Sequence, residues 1–229
     1  MLGNLTAQPQ DKILALMAAY RADPRETKID LGVGVYKDAT GATPVMRAIK
    51  SAEELLWKTQ ETKAYVGLAG DPAFSAAMID LVLGGTVAED RLSAVATPGG
   101  TGAVRQALEL VKIAAPGATV WLSNPTWPNH PSIIKYLGMP LSEYRYFDAQ
   151  TGDVDFDAML TDIKAIPAGD IVLLHGCCHN PTGANLNEEQ EDQIIAALAA
   201  NGAIPFVDIA YQGFGDGLEG DARFTRKIA

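Results

Sequence analysis

The stretch HGCCHNPTG, residues 175–183, places two histidines and two cysteines within five positions and follows them with Asn-Pro-Thr-Gly. Such residues could hold a metal, form a disulfide or end a strand at a ligand. On an extended strand alternate side chains share a face. His175, Cys177 and His179 would then lie on one side and Cys178 on the other. Zinc sites favour Cys-x2-Cys pairs or ligands from separate loops. Adjacent cysteines on opposite faces do not chelate one ion, so the spacing speaks against a metal. The chain has two cysteines, and two neighbours suit no disulfide framework. They are expected as small core residues at a strand end. His175 and His179 are expected as buried polar groups with hydrogen-bond partners.

Four further loops carry chemistry-bearing residues. In TPGGTGA, Gly99, Gly100 and Gly102 allow close backbone approach, Thr101 adds a hydroxyl, and a following helix N-terminus favours an anion. The pattern is neither a Walker loop nor Gly-x-Gly-x-x-Gly, and a plain tight turn explains it equally well. Trp127 stands between two prolines in NPTWPNH, as a stacking surface for a flat ring or as a core anchor. Asn180 precedes Pro181, which favours extended backbone and an outward amide. Asp208 ends the apolar run AIPFVDIAY and needs a partner, either an arginine or backbone amide, or a bound cation. Tyr211 offers a phenol three residues later.

These residues need elements to position them. DKILALMAAYRADP has helical apolar spacing and stops before Pro24. IDLGVGVYKDATG reads as a short apolar stretch and a turn at Asp38 to Gly41. Thr43-Pro44 and Asp71-Pro72 each read as a helix cap followed by a first-turn proline. From about residue 90, LSAVAT, ATVWLS, IVLLHGCC and AIPFVDIAY read as short strands, with helices over AVRQALELVKIAA and residues 187–200. This alternation predicts an α/β fold, a mainly parallel sheet with flanking helices. Ligands gather at the carboxyl ends of such strands, where all the unusual loops fall.

The 229 residues are 48% hydrophobic and 20% charged, enough for a real core. A net charge of −10 without basic patches excludes nucleic acid and anionic membrane surfaces as expected partners. No apolar run approaches a membrane helix, and the first residues do not resemble a signal peptide. A cytoplasmic protein is expected.

A phosphate cradle, a stacking ring, an amide, a phenol and a carboxylate together suit one ligand, pyridoxal phosphate. Its phosphate takes the cradle and its ring stacks. Its ring oxygen takes donors, and its pyridine nitrogen needs a carboxylate to remain protonated.

The sequence resembles the aspartate and aromatic-amino-acid aminotransferases, dimeric enzymes of the fold-type I pyridoxal-phosphate class. The stretches carrying the resemblance are DLGVGVYKDATGATPV, ETKAYVGLAGDPAF, TPGGTGAVRQALEL, SNPTWPNH, VLLHGCCHNPTGANL and DIAYQGFGDGLE, in the family's order over essentially the whole chain. The resemblance implies Gly99, Gly100 and Thr101 as phosphate cradle, Trp127 as the stacking residue, and Asn180 with Tyr211 at the ring oxygen. It implies Asp208 as partner of the pyridine nitrogen, with His130 and His175 behind it. Tyr65 would reach the phosphate of a neighbouring subunit in a homodimer. Gly34, Trp127 and Asn180 would meet substrate. Residues 1–42 would form an N-terminal arm and part of a small domain, and 43–229 the first part of the cofactor-binding large domain. The implied reaction moves an amino group from aspartate or an aromatic amino acid to 2-oxoglutarate.

One family feature is missing. The Schiff-base lysine sits in a Ser-x-Ser-Lys type of loop after the AYQGF segment, and none of the chain's ten lysines has that context. The arginine for the substrate carboxylate is also expected further on. The chain therefore reads as the N-terminal part of an enzyme of roughly 400 residues, more than one domain's worth. The alternatives are an inactive, non-covalent pyridoxal-phosphate-binding or dimerisation module, and a metal-binding or structural protein.

Overall fold

The computed structural model describes residues 12–29 and 34–229. Packing divides the chain into two units, Met1–Ala64 and Tyr65–Ala229. The first unit holds α1 (Lys12–Ala22) and α2 (Arg47–Thr59). α1 fits the helical expectation. Residues 30–33 of the apolar stretch expected in IDLGVGVYKDATG lie outside the described residues. The Asp38–Gly41 turn forms, with Gly41 N–H donating to the Asp38 carbonyl at 2.9 Å. The Thr43 cap does not. Its hydroxyl donates instead to the Tyr36 carbonyl at 3.0 Å, and α2 starts at Arg47 behind an uncapped Met46.

The second unit opens with α3 (Pro72–Leu83). Its cap is the expected one: the Asp71 carboxylate accepts from the N–H groups of Ala73 and Phe74 at 2.7 and 3.2 Å. Next comes α4 (Gly99–Ala114), which begins four residues before the expected AVRQ start. Gly99, Gly100 and Thr101 are therefore the helix's first turn, not a separate loop. The expected strand LSAVAT does not form. Ala96 N–H bonds the Ala69 carbonyl at 2.8 Å, but none of the described segments runs beside 92–97 as a ladder partner. An apolar run without a neighbour to bond stays extended but unpaired.

The sheet contains β1 (Val120–Asn124), β2 (Leu141–Arg145), β5 (Ile171–His175) and β6 (Ile204–Asp208) in the order β2-β1-β5-β6. All three pairings are parallel. A short antiparallel pair, β3 (Phe147–Asp148) with β4 (Asp153–Val154), follows β2. β2 was not foreseen, because LSEYR is an edge strand with a largely polar, half-exposed sequence. The connecting helices are α5 (Asn129–Tyr136), α6 (Phe156–Lys164) and α7 (Glu188–Asn201), and α8 (Gly217–Ile228) closes the chain.

Two apolar layers cover the sheet. Val172 and Leu174 pack with Met159, Ile163, Ile194 and Phe224, on the α6, α7 and α8 side. Ile171 and Leu173 pack with Val104, Leu108, Val120, Leu122 and Ile134, on the α4 and α5 side. Both faces of β5 are buried, as parallel strands require. Because side chains alternate, His175 and Asp208 follow Leu173 and Phe206 onto the α4 and α5 side. The register sets them side by side, His175 opposite Asp208.

Candidate active site

At the carboxyl ends of β5 and β6 lies a cavity of about 260 Å3. Gly100, Thr101, Trp127, His175, Cys177, Asn180, Asp208, Ala210 and Tyr211 line it. The sheet supplies the floor, the first turn of α4 one wall, and the loops after β1, β5 and β6 the rest. All of it belongs to the second unit.

Asp208 is the floor's charge. His130, fully buried on α5, bonds one carboxylate oxygen through Nε2 at 2.8 Å. Behind it, Thr126 Oγ1 lies 2.8 Å from His130 Nδ1 and 3.2 Å from His175 Nε2. The Asn180 N–H points at His175 Nδ1, at 3.5 Å. Counting donors fixes the direction of this chain. Burial, then the neighbouring His130, pushes the His175 pKa down to about 4, so the ring is neutral near pH 7. Its Nδ1 accepts, so its proton sits on Nε2 and is donated to Thr126. The single Thr126 hydrogen then goes to His130 Nδ1. This leaves the His130 proton on Nε2, aimed at Asp208. Every donor points toward the carboxylate, an arrangement that fixes Asp208 in place. Among the described residues no second side chain bonds Asp208, and its side chain remains 20% exposed, toward the cavity.

The walls match what a flat anionic ligand needs. Trp127 is half-buried, packs against the α4 and α5 core layer and also faces the cavity. It meets His130 edge-on, at 5.2 Å between ring centres. Trp127 is thus both a core contact and a cavity wall. Thr101 Oγ1 accepts from Asn129 Nδ2 at 3.1 Å, which leaves its hydrogen free to donate. The first N–H groups of α4 have no intrahelical partner and carry the positive end of the helix dipole. Asn180 Nδ2 donates to the Tyr211 hydroxyl at 3.4 Å, so the amide and phenol converge on one side.

The sequence pattern described as aminotransferase class I and II matches residues 26–227. This chain belongs to that family. An aromatic-amino-acid aminotransferase of Paracoccus denitrificans is 58% identical over 229 residues, covering 100% of this chain and 58% of the relative. An aspartate aminotransferase of Escherichia coli K12 is 44% identical over 232 residues, covering 100% of this chain and 59% of the relative. A solved aromatic-amino-acid aminotransferase from Burkholderia pseudomallei, covalently bound to pyridoxal phosphate, superposes with a TM-score of 0.95 at 38% identity, over 100% of this chain and 58% of that one. The chain spans about 58% of the length of the curated relatives it matches.

Most of the expected aminotransferase residues come together. Gly100, Thr101, Trp127, Asn180, Asp208, Tyr211 and His175 line one cavity, with His130 directly beneath. Gly99 adjoins it as the first residue of α4, with φ +70°. Tyr65 is fully exposed and outside the cavity. Gly34 belongs to the first unit and is exposed.

One residue was missed, and a second does more than expected. Thr126 sits inside NPTWPNH, and nothing in that spacing marks it as the link between two histidines. His179 was expected only as a satisfied buried group, and it is one. It is 2% exposed, bonded through Nε2 to Ser123 at 3.0 Å and through Nδ1 to Thr182 at 2.9 Å. It is also sandwiched between Tyr146 and His175, with ring centres 4.0 and 4.1 Å away, which braces the turn bearing Asn180. Burial pushes its pKa down to about 3.

One argument from the sequence is overturned. β5 ends at His175, so the alternation invoked for His175 to His179 does not apply. Cys178 takes a left-handed backbone, φ +47°, and its thiol lies within 4.8 Å of the Cys177 thiol. Neither cysteine is fully buried in the core; both are half-exposed.

Proposed function

We propose that the chain is the cofactor-holding part of an enzyme that moves an amino group from an aromatic amino acid or aspartate to a 2-oxo acid, with 2-oxoglutarate as acceptor. The observation that carries this reading is the His130–Asp208 pair at 2.8 Å beneath a cavity walled by Trp127, Asn180, Tyr211 and the start of α4. The residues fit pyridoxal phosphate: a carboxylate at the floor, an aromatic wall, paired polar donors and a helix N-terminus as anion cradle. When bound, that cofactor supplies an electron sink for the substrate α-carbon.

The chain's own groups have distinct work. The Asp208 carboxylate holds a proton on the pyridine nitrogen, where its charge matters most. His130 donates to Asp208 and keeps it from swinging. Thr126 and His175 fix the His130 tautomer, and the Asn180 N–H fixes that of His175. Asn180 and Tyr211 donate to the ring oxygen, Trp127 stacks on the ring, and Gly99, Gly100 and Thr101 hold the phosphate. Tyr65 serves a partner copy in a cytoplasmic homodimer, and Gly34 meets the substrate carboxylate.

A second reading has its own observation. Among the described residues no lysine lines the cavity, and the sequence carries no Ser-x-Ser-Lys stretch. The chain as given would then hold pyridoxal phosphate without a covalent bond, as a binding or dimerisation module. Two measurements separate the readings. Pyridoxal phosphate titrated into the 229-residue chain should bind and remain dialysable after borohydride treatment. A longer reading frame continuing past Ala229 should convert glutamate to 2-oxoglutarate in a half-reaction. Failure of both would refute the cofactor site itself.

A further inference from the structure

The cofactor reading makes no use of the Cys177 and Cys178 thiols. We propose that Cys177, Cys178 and Asp221 form a chelating site for one thiophilic divalent cation, zinc or cadmium. The site stands independently of whether the chain transaminates.

The backbone makes the site possible. Once β5 ends, the left-handed conformation of Cys178 turns its side chain back toward that of Cys177. One ligand atom from each of Cys177, Cys178 and Asp221 then lies within 4.8 Å of the other two. A tetrahedral zinc with sulfur at ~2.3 Å and oxygen at ~2.0 Å needs ligand atoms about 3.5–3.8 Å apart. Small rotations of two half-exposed thiols toward a fixed carboxylate close that difference.

Asp221 is well placed to be the fixed member. It is 5% exposed and held by backbone donors: Gly213 and Gly215 to Oδ2 at 2.7 and 3.0 Å, Asp216 to Oδ1 at 2.7 Å. A carboxylate oxygen has two lone pairs. Asp216 takes one on Oδ1, and a cation takes the other. Gly215 shows how tight the junction is. A Cβ added there would lie 2.7 Å from Asp221 Oδ1 and 3.1 Å from Cys178 Sγ.

Binding breaks two S–H bonds, forms two metal–sulfur bonds and one metal–oxygen bond, and releases two protons to the buffer without redox change. Cys177 also lines the cavity at the ends of β5 and β6, which gives the ion a path in.

The test is a titration of the chemically reduced chain with Cd2+, following the ultraviolet charge-transfer band of cadmium–thiolate bonds and counting ions by equilibrium dialysis. The chain has only two cysteines, so any such band reports on them. The expected result is saturation at one ion per chain, with the band lost in Cys177→Ser and in Cys178→Gly. Glycine suits the left-handed backbone of residue 178, so that variant should keep the fold, checked by circular dichroism. Asp221→Asn should keep the band at weaker affinity. The site is overturned if the wild type shows no band, or if each single-cysteine variant keeps half of it at unchanged affinity. Unchanged affinity in Asp221→Asn likewise overturns a three-ligand site.

Discussion

Asp208 and Asp221 are two carboxylates at the same end of the sheet, treated in opposite ways. Asp208 takes one side-chain hydrogen bond, from a buried imidazole, and keeps its other oxygen toward the cavity. Asp221 takes three backbone N–H bonds and is nearly sealed from solvent. One is held from behind so that its front can act on a ligand. The other is wrapped so that a loop holds its shape. The difference teaches where to look for chemistry: a carboxylate backed by a buried imidazole and open to a cavity is placed to meet a ligand there, and one wrapped by backbone donors holds its loop in shape and offers a ligand only its remaining lone pair.

The largest effect should come from removing the wrapped carboxylate. Asp221→Ala removes the buried carboxylate that accepts from the N–H groups of Gly213, Gly215 and Asp216 and should cost about 3 kcal/mol of stability. The midpoint of denaturant unfolding measures it. Burial raises the Asp221 pKa, but the N–H donors of Asp216, Gly215 and Gly213 outweigh it and the net shift is downward. A depressed carboxylate pKa contributes stability above its unfolded value, lost as pH falls through the folded one. Below about pH 4 the wild type should therefore lose stability that Asp221→Asn never had. Parallel pH curves for the two would contradict this role of Asp221.

Asp208→Ala should act on the ligand rather than the fold. Loss of a charge-assisted bond is worth about 2 kcal/mol, a roughly thirtyfold weaker grip on pyridoxal phosphate. In a full-length form it should lower the rate further. A stability loss as large as that of Asp221→Ala, with cofactor affinity unchanged, would erase the contrast between the two aspartates.

The histidine chain gives a third test. His175 and His179 are buried neutral, with pKa values pushed down to about 4 and about 3. The unfolded chain binds protons there from about pH 6.5 downward, so stability should fall by about 1–2 kcal/mol for each histidine between pH 7 and pH 5. His175→Gln should flatten that slope. Thr126→Val should cost about 1 kcal/mol and free the His130 tautomer, visible as a changed imidazole N–H signal by proton NMR. The smallest effect is Trp127→Ala, about 1 kcal/mol or less of cofactor binding for a lost stack. Equal affinity there would make Trp127 a core anchor alone.

Much of the positioning was legible because it rests on local rules. The Asp71-Pro72 cap, a helix near 187–200 and two strands inside the runs IVLLHGCC and AIPFVDIAY follow from capping chemistry and apolar runs, although the strands stop at His175 and Asp208, short of the ends of those runs. Other features were hidden because they depend on neighbours distant in sequence. LSAVAT lacks a ladder partner among the described segments, Thr43 found a carbonyl instead of a helix, and Thr126 bonds a histidine 49 residues away.

Residue types and their order were enough to name the α/β fold, the family and most residues at one sheet end, because apolar periodicity, turn residues and motif order are written in the chain itself. Only the tertiary structure decided which carboxylate faces a cavity, which way the hydrogens run from Asn180 to Asp208, and that Cys177 and Cys178 converge instead of pointing apart. Those outcomes depend on a strand register, a burial and one left-handed backbone angle, which exist only once distant segments have packed together.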